Sequence, residues 1–130
     1  MIPRRDRAGL GALAVYALVA FLVFGVGTLT RPGSRYVGTG ADPESFIWLF
    51  AWWPHAILHG MNPFVTHAAW APSGVNLAWT ALLPGPALLF APLTLAVGPV
   101  LSYSIAAVLM PAITAWAAFL LCRHLTRQFW

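Results

Sequence analysis

Two carboxylates stand close together in an otherwise acid-poor chain. Asp42 and Glu44 lie in the run Gly40-Ala41-Asp42-Pro43-Glu44-Ser45, and the only other acid is Asp6. Ionisable groups at or inside a bilayer mark functional sites by default, and long uncharged segments flank this pair on both sides. A carboxylate here could act as a general base. Its neighbour could hold it in the charged form, or join it in binding a divalent ion. Downstream, His55 and His59 are four residues apart, which sets two imidazoles on one helix face. Ala56 stands where a zinc protease needs Glu, and His67 is distant, so no metal site is expected. Contact with lipid headgroups or a lipid phosphate suits these histidines better. Upstream, Arg31 and Arg35 could clamp a phosphate through bidentate contacts.

Each of these residues also has a structural reading. Asp42 followed by Pro43 fits a helix start, with Asp as N-cap and Pro at the first helical position. Such a cap is worth about 1 kcal/mol and is compatible with catalysis. An acid in the first turn, such as Glu44, faces the positive helix end. Arg31 and Arg35 serve equally as interface anchors, a role that ranks ahead of phosphate binding.

The elements that must position these residues belong to lipid. The chain has 130 residues, of which 60% are hydrophobic and 8% charged. A soluble domain carries about 25% charged residues. All seven basic residues are Arg and sit near the expected membrane boundaries, so the net charge of +4 speaks of topology and anionic headgroups. No basic stripe interleaves with aromatics, which excludes a nucleic-acid module. The single Cys122 allows no internal disulfide and lacks metal spacing.

The chain reads as all-α and multi-pass, with about three transmembrane helices and an interfacial helix in the first outer loop. Residues 1–7 form a basic cytoplasmic tail and residues 8–30 an uncharged first span. Its 23 residues cover roughly 34 Å, longer than a signal-peptide core. Residues 31–79 form an outer loop. Within it, residues 43–59 predict an interfacial or re-entrant helix with Glu44, Trp48, Trp52, His55 and His59 on one face. Pro54 would bend it. Residues 60–78, with Asn62-Pro63 and Pro72-Ser73-Gly74, predict a structured aromatic loop. Residues 80–97 form a second span broken by Pro84, Pro86 and Pro92. After the turn at Gly98-Pro99, residues 100–122 form the third, leaving a tail at 123–130.

Orientation signals conflict. Arg4, Arg5 and Arg7 place the N-terminus in the cytoplasm, yet three spans then put Arg123 and Arg127 outside. Making residues 46–59 a fourth span would repair this, but 14 residues are too short to cross comfortably. Gly9-Leu10-Gly11 and Gly25-Val26-Gly27 read as helix packing. Serine-nucleophile, P-loop and dinucleotide motifs are absent.

A basic tail, a first span, an outer loop opening on an acidic motif, and a Pro-broken span with a tight hairpin resemble a known class. They are similar to the N-terminal portion of GT-C type membrane glycosyltransferases, which take sugars from polyprenyl-phosphate donors. The stretches Asp42 to Trp48, Trp53-Pro54-His55-Ala56, His59 to Phe64 and Pro72 to Leu77 resemble an uncharacterised bacterial branch of that superfamily. The resemblance implies an integral protein of the bacterial inner membrane, Asp42 as general base and Glu44 as its support. Arg31, Arg35, His55 and His59 would bind the phosphate-bearing substrate. It implies membrane lipids and a polyprenyl-phosphate-sugar donor as partners, a cell-envelope acceptor and no nucleic acid, with the cofactor unknown and a divalent cation possible. The class has further spans, so the chain reads as a fragment of a larger protein. The alternative is a non-enzymatic small membrane protein acting as a subunit or scaffold.

Overall fold

A computed structural model describes residues 4–29 and 31–126; the expected tail residues 1–3, the span end at Thr30 and the tail residues 127–130, Arg127 included, lie outside these. The chain is mostly helical and divides into two compact units.

The first unit holds residues 1–37 and 104–130. It starts with α1 (Arg4–Ala20), which runs through a single π-helical turn, Phe21–Gly25, into α2 (Val26–Leu29). The wide turn has a local cause. A Cβ on Gly25 would come within 2.7 Å of the Phe21 ring, so only glycine lets that ring fold back on the helix. Thr28 closes the turn, its hydroxyl donating to the Gly25 carbonyl at 2.8 Å. Gly25 therefore accommodates a ring of its own helix rather than a neighbouring helix, and a Cβ on Gly27 would meet nothing within 4 Å. The other helix of this unit is the larger part of α6 (Pro99–Thr126), which has Pro111 inside it. It continues past the expected end at Cys122, so Arg123 and His124 ride in its last turn.

Two helices are long and apolar enough to cross a membrane: Arg7–Thr28, with 22 residues, and α6, with 28. They cover about 33 and 42 Å, against about 30 Å of hydrocarbon. Only 17% and 11% of their most apolar windows are buried, the opposite of a core helix in a soluble protein. Leu18, Leu22, Val23 and Leu121 are among the side chains left facing outward. The ends of the two helices meet. The Trp116 indole nitrogen donates to the Gly9 carbonyl at 2.8 Å, and a Cβ on Gly9 would lie 3.6 Å from Leu120 and 3.9 Å from Arg123.

The second unit holds residues 38–103. Its central element is α3 (Ala41–Leu58), followed by a small hairpin of β1 (Val65–Thr66) and β2 (Val75–Asn76). The strands are antiparallel, with Val65 opposite Asn76 and Thr66 opposite Val75. This hairpin is a small addition to a chain that is otherwise mostly helical, as the all-α expectation has it. A 3₁₀ turn, Leu77–Trp79, leads to α4 (Pro84–Leu89) and α5 (Ala91–Val97). Residues 80–97, expected as one span, therefore hold two helices of 6 and 7 residues, neither long enough to cross. Leu83 adopts a left-handed conformation at φ 44° before α4, and each short helix begins with proline in its first turn. A proline lacks the N–H that would carry one helix into the next.

The core of this unit lies along one face of α3. Leu49, Phe50, Trp53 and Ala56 are all buried there, at the three- and four-residue steps of an amphipathic helix. Phe50 meets Tyr103 edge-on, with ring centroids 5.8 Å apart, and tilts against Phe90 at 6.3 Å. The Trp53 indole donates to the Leu82 carbonyl at 2.9 Å, and its ring meets Phe64 edge-on at 5.3 Å. Thr94 donates to the Ser102 hydroxyl at 2.8 Å, so these buried groups satisfy one another.

Candidate functional site

Helix α3 carries three of the six residues singled out by sequence, and a fourth, His59, is its C-cap. Its N-terminus is not capped by Asp42, which corrects the expected cap. Gly40 takes the N-cap position at φ 89°, a conformation that suits glycine, and no side chain caps the helix there. The helix begins at Ala41, two residues ahead of the expected start, so Asp42 and Pro43 lie inside the first turn. Pro43 is buried, and a Cβ on Gly38 would come within 2.7 Å of its ring. The close approach of Gly38 and Pro43 sets the path of the chain into the helix. Asp42 and Glu44 both project from this first turn as exposed side chains. Their charge meets the positive end of the helix, a setting that stabilises a carboxylate by about 0.3–1 kcal/mol. Asp42 makes no capping bond, and its side chain is exposed.

The opposite end of α3 bears an aromatic ladder. Trp48 and Trp52 stack with centroids 5.5 Å apart and planes 8° from parallel. Trp52 continues to His55 at 6.1 Å, and His55 to His59 at 4.2 Å. This is the face expected from the spacing, turned away from the buried Leu49-Phe50-Trp53 face. The ladder is fixed at two points. Trp52 donates its indole N–H to the Pro63 carbonyl at 2.9 Å, and His59 donates from Nδ1 to the His55 carbonyl at 2.8 Å. A carbonyl can only accept, so Nδ1 of the exposed His59 ring is the donor in this contact. His59 also ends the helix.

The carboxylates and the imidazoles do not converge. Along α3, eleven residues separate Glu44 from His55, a rise of roughly 16 Å. One compact reaction centre containing all four is therefore excluded; the helix offers two separate polar stations joined by tryptophan. Among the described residues, no three His, Cys, Asp or Glu side chains gather in a way that could hold a metal ion. Arg31 and Arg35 belong to the first unit, at the turn following α2, where the Arg35 amide donates to the Arg31 carbonyl at 3.1 Å. Both arginines are exposed. Cys122 is a free, exposed thiol near the end of α6.

The hairpin was the part of this unit least visible in sequence. Its signal is Pro72-Ser73-Gly74 between two short pairs that each open on a β-branched valine, Val65-Thr66 and Val75-Asn76. Two-residue strands are too short to show alternation. Comparison with known proteins finds no match to any protein-family model, curated protein or solved structure.

Proposed function

We propose that this chain forms part of an integral-membrane glycosyltransferase of the GT-C type, moving a sugar from a polyprenyl-phosphate donor to a cell-envelope acceptor. The observation that carries the reading is the uncapped, exposed Asp42 at the start of α3, in the segment joining two helices of membrane-crossing length. A carboxylate in that position can take the proton from an acceptor hydroxyl as the sugar leaves its phosphate. Glu44, in the same turn, supports its charge state. The imidazoles of His55 and His59 sit one helix-length away, the right scale for meeting the headgroup level and a lipid phosphate rather than the reacting sugar. Arg31 and Arg35 supply two guanidinium groups suited to phosphate.

The topology that fits this reading has two crossings in the bacterial inner membrane. The start of α1 meets the last turns of α6, and this contact supports a topology with the basic ends of both crossings on one membrane face. That face is cytoplasmic by the positive-inside tendency, and the conflict raised by three spans disappears. Residues 31–98 are then exocytoplasmic, with α3 lying at the interface and the Pro-broken pair α4–α5 entering the outer leaflet without crossing it.

The deciding experiment is sugar transfer from a polyprenyl-phosphate-sugar donor, measured in membranes carrying the gene in its native genomic context. Asp42→Asn should lower transfer by about 10²- to 10⁴-fold, the contribution of a general base. Normal transfer in that variant would remove the catalyst and favour a non-enzymatic subunit or scaffold.

A further inference from the structure

The hairpin carries the two most exposed large apolar side chains among the described residues. Trp79 is 88% exposed and Trp70 80%. Neither position is loose. Trp70 sits in the hairpin loop at φ 57°, left-handed backbone that a tryptophan rarely adopts. The Gly74 amide holds it there by donating to the Trp70 carbonyl at 2.9 Å. Gly74 itself has no room for a side chain, since a Cβ would come within 2.6 Å of His67 and 2.8 Å of the Thr66 carbonyl oxygen. His67 Nδ1 donates to the Pro72 carbonyl at 3.3 Å, and the loop rests on the buried Thr66. Trp79 ends a 3₁₀ turn whose Ala78 amide donates to the Asn76 side chain at 2.9 Å and whose Leu77 is buried. A hydrogen-bonded scaffold therefore presents both indoles to the surroundings.

We propose that the 64–80 hairpin is a membrane-interface anchor, with Trp70 and Trp79 seated among phospholipid headgroups and upper acyl chains. Three observations select a lipid surface as the occupant. Both tryptophans lie in the segment that joins the two membrane-crossing helices, which tethers the hairpin within reach of a bilayer. From Ser45 through Cys122 the sequence contains no Asp, Glu, Lys or Arg, so nothing in the hairpin or its surroundings resists entry into the interface. Phe64 and Val65, at the base of the hairpin, are exposed as well. Tryptophan is the side chain that favours this depth, with an apolar ring system and one N–H for the headgroup region. The anchor does not depend on the glycosyltransferase reading, because it needs only the bilayer.

The test uses the whole chain in nanodiscs of phosphatidylcholine, with bromine on the acyl chains either close to the headgroup or close to the methyl end. Subtracting the emission of the Trp70→Phe/Trp79→Phe variant from that of the unsubstituted protein isolates the two indoles. Trp70→Phe and Trp79→Phe measured singly provide the same difference if the double variant loses helicity by circular dichroism. The expected difference emission is blue-shifted, quenched more by the shallow bromines than by the deep ones, and shielded from aqueous acrylamide. Emission at the wavelength of a hydrated indole, open to acrylamide and indifferent to bromine, would overturn the anchor. It would leave these rings as a surface for a water-side protein or sugar. Equal quenching by deep bromines would overturn it too, by placing the rings in the hydrocarbon centre.

Discussion

Trp116 reaches back across the sequence to Gly9, its indole nitrogen 2.8 Å from the glycine carbonyl oxygen. This one bond links the first turns of the first crossing helix to the last turns of the second. Leu120 and Arg123 pack beside the same spot, 3.6 and 3.9 Å from where a Cβ on Gly9 would lie. The basic start of α1 is thereby held beside the basic last turn of α6.

Trp116→Phe keeps an aromatic ring, though smaller than indole, and removes the donor. Interhelical hydrogen bonds in membranes contribute about 0.6 kcal/mol on average and up to about 1.7. The variant should therefore lose roughly 0.5–1.5 kcal/mol of stability, read as a shift in the midpoint of denaturation from mixed micelles. A loss well beyond that would mean that packing of the ring, rather than the bond, joins the helices.

Two crossings and three make opposite statements about the end of α6. With Cys122 replaced by Ala, single cysteines at Ser34, Ser73 and Thr126 should react differently with a membrane-impermeant thiol reagent on intact cells. Ser34→Cys and Ser73→Cys should label, whereas Thr126→Cys should label only after the membrane is opened. Labelling of all three from outside would restore a third crossing.

Gly74 adopts φ 73° and faces a backbone oxygen that cannot move aside. Gly74→Ala adds left-handed strain of about 1–2 kcal/mol together with the clash. The expected outcome is a hairpin that opens locally, seen as faster amide exchange at Thr66 and Leu77 while the amides of α6 stay protected. Unchanged exchange would show that the loop tolerates a side chain there.

Asp42 and Glu44 share a helix turn but are assigned different tasks. Asp42→Asn and Glu44→Gln each remove one charge from the same helix end, so their effects on stability should be similar, about 0.3–1 kcal/mol. Their effects on sugar transfer should diverge, with Glu44→Gln the milder by at least about tenfold if it only supports the base. Equal losses would make the two carboxylates partners in one role, such as holding a divalent cation.

Much of this protein was legible from local pattern. Apolar runs of crossing length, the turn glycines and the Trp48-Trp52-His55-His59 face follow from composition and from the 3.6-residue period, both local properties. Where α3 begins did not follow. Asp42-Pro43 is a good start signal, but the packing of Gly38 against buried Pro43 moved the cap to Gly40. Three prolines in residues 80–97 announced a broken helix without saying that neither piece would be long enough to cross.

Tertiary structure alone decided three matters. It packed the Trp53 ring against Phe64 and bonded its indole to the Leu82 carbonyl, 29 residues away in sequence. It formed a hairpin from two residue pairs too short to carry a pattern, stabilised by a buried threonine and a glycine with no space for a side chain. It also joined Gly9 to Trp116, a contact between residues so far apart in sequence that no local preference encodes it. Charge and hydropathy act residue by residue and can be read along the chain; which surfaces meet depends on shape, and shape exists only once the chain has folded.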